Sequence, residues 1–277
     1  DWHDPDGYMA KKDNSTKDYR AYLDRKCLPQ LREILTNYGK IALIWFDTPM
    51  GTTPEESREM AELVKELQPD CIVSGRIGNG LGEYMTTGDN FIPRLPYEGD
   101  WEVPATLNDT WGFNKDDHNW KSAAEIIPLL VKINSRGGNY LLNIGPDGTG
   151  KVPEESVAIL NEVGSYVSAN QEAIFATKRM PMYPYELTWG DLTCKEHHLY
   201  VHVFRKIPRV EVLGFNNTPK RAYLVETGEE LEYKRSRTCE GDEYITVELP
   251  KGYQEKEFYC IGIEFEEEMP VFAPINE

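Results

Sequence analysis

The first 170 residues alternate helical stripes with short runs that are apolar at every position, and this alternation restricts the fold more than any other feature. Lys17 to Tyr38 places Leu23, Cys27, Leu31, Ile34 and Leu35 on one helical face. A glycine at 39 ends that stripe, and Ile41-Ala-Leu-Ile-Trp-Phe46 follows. A strand with no polar alternation is buried on both faces, which is the condition of a parallel sheet covered by helices. Thr53-Pro-Glu-Glu56 opens a second helix with an N-cap, a first-turn proline and early acids, and the stripe runs to about Leu67. Cys71-Ile-Val-Ser74 is the next expected strand. Gly75 to Asn119 reads as a long loop, rich in glycine and aromatics. Ser122 to Ser135 is an expected helix, with Pro128 set to kink it or shift its start. Tyr140 to Ile144 is an expected strand, and Glu154 to Asn170 a final helix. Repeated strand–helix units of this kind predict an α/β fold, either a barrel or an open sheet.

The texture changes near Met180-Pro-Met-Tyr-Pro184. Beyond it come short alternating segments: Leu199–Phe204, Val210–Leu213, Arg221–Val225, Tyr244–Leu249 and Tyr259–Phe265. Turn residues such as Asn216-Asn217 and Glu240-Gly-Asp242 separate them, which predicts a small antiparallel β-sandwich. The expected division is a catalytic α/β domain over 1–176 and a sandwich over 177–277, free of helices of three or more turns in 195–265.

Charge narrows the function. The chain holds 30 Lys plus Arg against 47 Asp plus Glu, a net charge of -17. Such a surface repels phosphate backbones and anionic membranes, so nucleic acid and membranes are not expected partners. The five cysteines, at 27, 71, 194, 239 and 260, show no metal or redox spacing and read as mostly free thiols in or near the core. Gly78-Asn-Gly-Leu-Gly82 and Gly145-Pro-Asp-Gly-Thr-Gly150 lack the spacing and the Lys-Ser/Thr of nucleotide loops.

Leu43-Ile-Trp-Phe-Asp47 is the sharpest local signal, because an ionisable residue ends an apolar run at the tip of an expected parallel strand. In barrel enzymes that tip faces the active site. A carboxylate able to attack an anomeric carbon, beside the aromatic face of Trp45, is what glycoside chemistry requires; a plain loop-capping aspartate is the alternative. A second carboxylate must protonate the leaving oxygen. Glu83, Asp89 and Glu102 are the candidates, all in the expected loop, and composition does not choose among them. Trp101, Trp111, Phe113 and Trp120 crowd the same stretch, as sugar platforms or as core.

Several segments together resemble the α-L-fucosidases of glycoside hydrolase family 29. Asp1-Trp-His-Asp-Pro-Asp6 resembles the family's D-W-H-x-P-[DE] segment, and Leu43-Ile-Trp-Phe-Asp47 its nucleophile strand. Arg76-Ile-Gly-Asn-Gly80, Gly88-Asp-Asn-Phe-Ile-Pro93, Trp101-Glu-Val-Pro-Ala-Thr106 and Asn108-Asp-Thr-Trp-Gly-Phe113 follow in the family's order. Trp120-Lys-Ser122 and Gly137-Gly-Asn-Tyr-Leu-Leu-Asn-Ile-Gly-Pro146 complete the series.

The resemblance implies a partial (β/α) barrel followed by a β-sandwich, and a retaining exo-glycosidase acting on terminal α-L-fucosyl residues of glycans or glycoconjugates. It implies Asp47 as nucleophile and Glu102 as acid/base, with Glu83 as runner-up. Trp45, Arg76, His3, Trp101 and Trp111 are the implied sugar contacts. The two carboxyl groups are expected about 5–5.5 Å apart, as retention requires. No metal or cofactor is implied, and a secreted, periplasmic or lysosomal setting is expected ahead of the cytoplasm. The family's upstream half-barrel, with its K-H-H-D-G-F segment, has no counterpart, so the chain is expected to be an incomplete fragment that is inactive alone. A non-catalytic carbohydrate-binding or pseudoenzyme fragment is the alternative function.

Overall fold

The computed structural model describes residues 4–8, 13–181, 187–214, 216–239, 241 and 243–271. The chain forms two compact units, residues 1–86 with 99–102 and residues 87–98 with 103–277.

In the first unit the leading amphipathic stripe becomes α1 (Tyr19–Tyr22), a π-helical turn (Leu23–Cys27) and α2 (Leu28–Asn37). The widened turn stands just ahead of Pro29, which has no N–H for the ordinary i→i−4 bond. Leu23, Leu31 and Leu35 pack against Met60, Leu63 and Val64 of α3 (Pro54–Leu67). Each such side chain, fully buried, contributes roughly 1.5–3 kcal/mol. The expected start signal of α3 is a complete capping box: Glu56 N–H donates to Thr53 Oγ1 at 3.3 Å, and Thr53 N–H to Glu56 Oε2 at 2.9 Å.

Strand β1 (Leu43–Ile44) pairs in parallel with β2 (Ile72–Val73), Leu43 opposite Ile72 and Ile44 opposite Val73. Both strands are shorter than the apolar runs predict. Past Ile44 the ladder gives way to a side chain, as Phe46 N–H donates to Ser74 Oγ at 2.8 Å.

The stretch expected as a structureless loop contains β3 (Met85–Thr86) and β4 (Trp101–Thr106). Trp101 and Glu102, at the head of β4, pair in parallel with Met85 and Thr86. Pro104 concealed β4, since a proline within a run counts against a central strand. Here its carbonyl still takes part, accepting from Asn90 N–H at 2.8 Å.

The second unit holds α4 (Ala123–Ser135), β5 (Asn139–Asn143), α5 (Glu154–Ala169) and α6 (Gln171–Ile174). α4 runs through Pro128 without ending there, under its own capping box of Ser122 and Glu125. Two antiparallel sheets follow. One has the order β10-β9-β13-β7-β6 and comprises β6 (Gly190–Lys195), β7 (His198–Val203), β9 (Pro219–Leu224), β10 (Glu230–Leu231) and β13 (Tyr259–Phe265). The other has the order β11-β12-β8 and comprises β8 (Arg209–Leu213), β11 (Tyr233–Arg237) and β12 (Glu243–Glu248). Val201, Val203, Ile261 and Ile263 from the first share one core with Val210, Val212, Ile245 and Val247 from the second. β6, β10 and β11 were not expected; β11 reads Tyr-Lys-Arg-Ser-Arg and carries too little apolar alternation to announce itself. Among the described residues, the longest helix between 195 and 265 is Lys251–Gln254, as the sequence predicts. Glu240 and Asp242 of the expected turn lie outside the described residues, as do Met182, Tyr183 and Pro184.

One polar cluster is fully interior. His202 on β7 is wholly buried, with Nδ1 2.6 Å from the Tyr166 hydroxyl of α5 and Nε2 2.9 Å from Thr193 Oγ1 of β6. Thr193 in turn donates to the Ala173 carbonyl at 2.7 Å. Burial disfavours the imidazolium and pulls the His202 pKa down to about 3.

Candidate active site

The register of β1 on β2 decides which side chains meet beyond the strand ends. The paired residues are 29 apart in sequence, and so are Asp47 and Arg76. Each lies three residues past the last paired position, and Arg76 Nη1 donates to Asp47 Oδ1 at 3.0 Å. The Arg76 guanidinium also lies over the Trp45 ring, 5.1 Å from its centroid, in cation–π geometry. Asp47 keeps 47% of its side chain in solvent and Arg76 19%, so the carboxylate is held yet accessible. The chain turns away at once through Thr48, whose φ of 51° is left-handed and costs a β-branched residue roughly 1–3 kcal/mol.

A second register places the other carboxylate. Thr86 is directly opposite Glu102 in the β3–β4 pair, and parallel partners present their side chains to the same face. Thr86 Oγ1 donates to Glu102 Oε1 at 2.8 Å. Tyr84, two residues earlier on the same face, donates its hydroxyl at 3.1 Å, and Trp45 donates Nε1–H at 2.6 Å. Three neutral donors thus converge on one oxygen of a side chain that is 9% exposed. Burial and the Glu102 charge push the Tyr84 phenol well above its usual range, which keeps it a donor.

Two glycines allow β3 to lie against the turn that carries Arg76. A Cβ on Gly75 would stand 2.5 Å from the Tyr84 carbonyl oxygen, and one on Gly82 would stand 2.4 Å from the Gly75 Cα.

Trp45 therefore joins the two carboxylates: its ring face supports the guanidinium that holds Asp47, and its N–H binds Glu102. A cleft of about 380 Å³ opens on Trp45, Asp47 and Arg76, with Tyr19, Tyr22 and Leu43 in its wall.

The comparisons with known proteins follow this geometry. Residues 1–172 match the family model described as Alpha-L-fucosidase. The chain belongs to the alpha-L-fucosidase family. Among curated alpha-L-fucosidases, that of Dictyostelium discoideum is 28% identical over 188 residues, covering 64% of this chain and 41% of its own length. Human tissue alpha-L-fucosidase is 29% identical over 194 residues, covering 66% and 40%. The chain thus spans about two fifths of these relatives. Among solved structures, the alpha-L-fucosidase of Vibrio sp. strain EJY3 superimposes with a TM-score of 0.82 at 30% identity, over 94% of this chain and 48% of that one. Alpha-L-fucosidase isoenzyme 1 of Paenibacillus thiaminolyticus gives 0.83 at 28% identity, over 96% and 70%. These neighbours share a mixed α/β fold with this fucosidase-family chain.

The remaining expected site residues fall in different places. Glu102 stands on a strand, not in the loop expected for it, because the β3 partner organises that segment. Glu83 faces elsewhere: Lys65 Nζ lies 2.9 Å from Oε1 and 2.7 Å from Oε2, and Oε2 accepts from Val73 N–H at 2.8 Å. Its backbone N–H also donates to the Val73 carbonyl, so Glu83 closes the free edge of β2. The bond from Lys65, aided by that of Val73, holds the Glu83 carboxyl below its ordinary range. Trp101 corrects an expectation, since at 1% exposure it is core and offers no open face to a sugar. Trp111 is 41% exposed in the second unit, and Asp89 is exposed there too. His3 lies outside the described residues. The sequence reading missed Tyr84 and Thr86; their alternate spacing ahead of a buried glutamate is the only trace they leave.

Proposed function

We propose that this chain carries the two catalytic carboxylates of a retaining exo-glycosidase that hydrolyses terminal α-L-fucosyl residues from glycans or glycoconjugates. The observation that supports it most is the Trp45 bridge between an accessible carboxylate and a buried one. Asp47 is the nucleophile. With Oδ1 held by Arg76, Oδ2 is directed at the anomeric carbon. Glu102 is the acid/base: its proton passes to the glycosidic oxygen, which departs with the bonding pair while Asp47 forms the ester. Water then attacks the same carbon, Glu102 takes its proton, and Asp47 leaves. Glu83 suits proton donation poorly, because Lys65 favours its ionised form.

Trp45 and Arg76 are the proposed walls of the sugar pocket. Trp111 and His3 are further proposed contacts, resting on the family resemblance. The same reading takes 1–176 as a partial (β/α) barrel and 177–277 as a β-sandwich, supported by the parallel pairs β1–β2 and β3–β4 and by the core shared between two antiparallel sheets. No helix among the described residues is long and apolar enough to cross a membrane. A secreted, periplasmic or lysosomal setting remains part of the proposal, as does action without a metal or cofactor.

Glu102→Ala and Glu83→Ala, compared in the whole protein on two substrates, provide the test. An activated aryl fucoside needs little protonation, so Glu102→Ala should spare its first step. A natural glycoside should lose about 10²–10⁴-fold in rate. Near wild-type cleavage of the natural glycoside by Glu102→Ala, with loss in Glu83→Ala, would transfer the acid role to Glu83. Binding of fucosides without turnover by the unaltered protein would favour a carbohydrate-binding module instead.

A further inference from the structure

Among the described residues, the hydrogen bonds of the Glu102 carboxylate all fall on one oxygen. Trp45 Nε1, Tyr84 Oη and Thr86 Oγ1 meet at Oε1, at 2.6, 3.1 and 2.8 Å. We infer that Tyr84 and Thr86 are positioning residues that hold Oε1 as a permanent acceptor, so that the transferable proton resides on Oε2 alone. This rests on the assignment of Glu102 as acid/base.

The chemistry of the donors supports the inference. A carboxylic acid protonated on one oxygen still accepts on the other, so three donors at Oε1 keep their bonds in both protonation states. A proton on Oε1 would meet the Trp45 N–H, which can only donate, and would force the Tyr84 or Thr86 hydroxyl to give up its bond and turn round to accept. The donors to Glu102 are neutral, whereas Glu83 is held by the Lys65 cation. The Tyr84 phenol stays protonated, since burial and the adjacent charge both oppose its ionisation. Position is fixed by the backbone: Thr86 is the registered partner of Glu102, and Gly75 and Gly82 allow the close approach that seats Tyr84. In the catalytic step the Oε2–H bond breaks, the proton goes to the glycosidic oxygen, and that oxygen keeps the C–O pair. Deglycosylation returns a proton from water to the same Oε2.

The test begins with the 277-residue chain, where the Trp45 indole N–H is a reporter of Glu102. Its resonance, assigned by its absence in Trp45→Phe, should titrate with pH in the unaltered chain and stop titrating in Glu102→Gln. In Thr86→Val and Tyr84→Phe the midpoint should rise by roughly half a unit to one unit, because the charged form loses a donor. Thr86→Ser should restore the original midpoint. In the whole protein, the same variants should move the alkaline limb of kcat/KM upward and lower kcat on a natural glycoside roughly tenfold, with KM little changed. Unmoved midpoints and pH profiles in both variants, with Glu102→Gln still inactive on the natural glycoside, would overturn the positioning role. Full activity of Glu102→Gln on that glycoside would instead remove the acid/base assignment beneath it.

Discussion

The first unit and the second treat buried polarity in opposite ways. Beyond the ends of β1 and β2 the ion pair stays partly wet: Asp47 is 47% exposed and is held by Arg76. In the second unit His202 has no exposure and is satisfied by two hydroxyls, and its registered partner on β6, Asp191, has a carboxyl that burial pushes up toward its neutral form. The Asp47 carboxylate is surrounded by solvent and the Arg76 guanidinium. The histidine that ties α5 to β6 and β7 is held neutral because burial disfavours its charged form. The difference sets an accessible, ion-paired carboxylate against an enclosed, neutral imidazole.

The largest expected break in that comparison is at Asp47. Asp47→Gly in the whole protein should lower turnover of an aryl fucoside by at least about a thousandfold, equivalent to roughly 4 kcal/mol of barrier. Azide should restore part of it as a surrogate nucleophile, while the thermal unfolding midpoint stays near that of the unaltered protein. Activity that survives the substitution would place the nucleophile elsewhere.

The second region should respond in the reverse sense. Ile261→Ala removes a side chain with no exposure from the core shared by the two sheets. It should cost about 2–5 kcal/mol in urea unfolding of the 277-residue chain. The Trp45 titration should remain in the fraction that is folded.

The pH dependence of stability sharpens the same contrast. His202 has a folded pKa of about 3 against an ordinary value of 6.5, so below pH 6.5 the unfolded chain binds a proton that the native one refuses. Its contribution is intact above that value and falls as pH drops toward 3, by at most about 1.4 kcal/mol per pH unit. Urea titrations at pH 7 and pH 4.5, on the unaltered chain and on His202→Gln, should show a steeper loss in the unaltered chain. Equal losses would mean that His202 opens or finds a charge partner on acidification.

The smallest effect concerns strain beside Asp47. Thr48→Gly removes the steric cost of a left-handed φ and should stabilise the chain by about 1 kcal/mol or less, since glycine also adds entropy to the unfolded state. If the turn serves only to redirect the chain, catalysis in the whole protein should hardly change. A large fall in kcat would show that the stiffness of Thr48 helps hold Asp47.

Local signals carried far into this molecule. The helices over 54–67, 123–135 and 154–169 follow from apolar spacing and caps that act within a few residues. The antiparallel strands at 198–203, 243–248 and 259–265 follow from alternation in the same way. Asp47 was legible because an acid ending an apolar run is conspicuous, and the family segments identified Arg76 and Glu102 by order. What lay beyond the sequence depends on partners far along the chain. Glu102 lies in a stretch without a local strand signal, because β4 forms by pairing with β3 and β5. Trp101 and Trp111 look alike in sequence, yet packing buries one to 1% and leaves the other 41% exposed. The separate surroundings of Glu83 and Glu102, and the convergence of Trp45, Tyr84 and Thr86 on a single oxygen, come from two parallel registers. Residue types and spacings show which groups can ionise or donate, whereas register decides which of them come within 3 Å of one another.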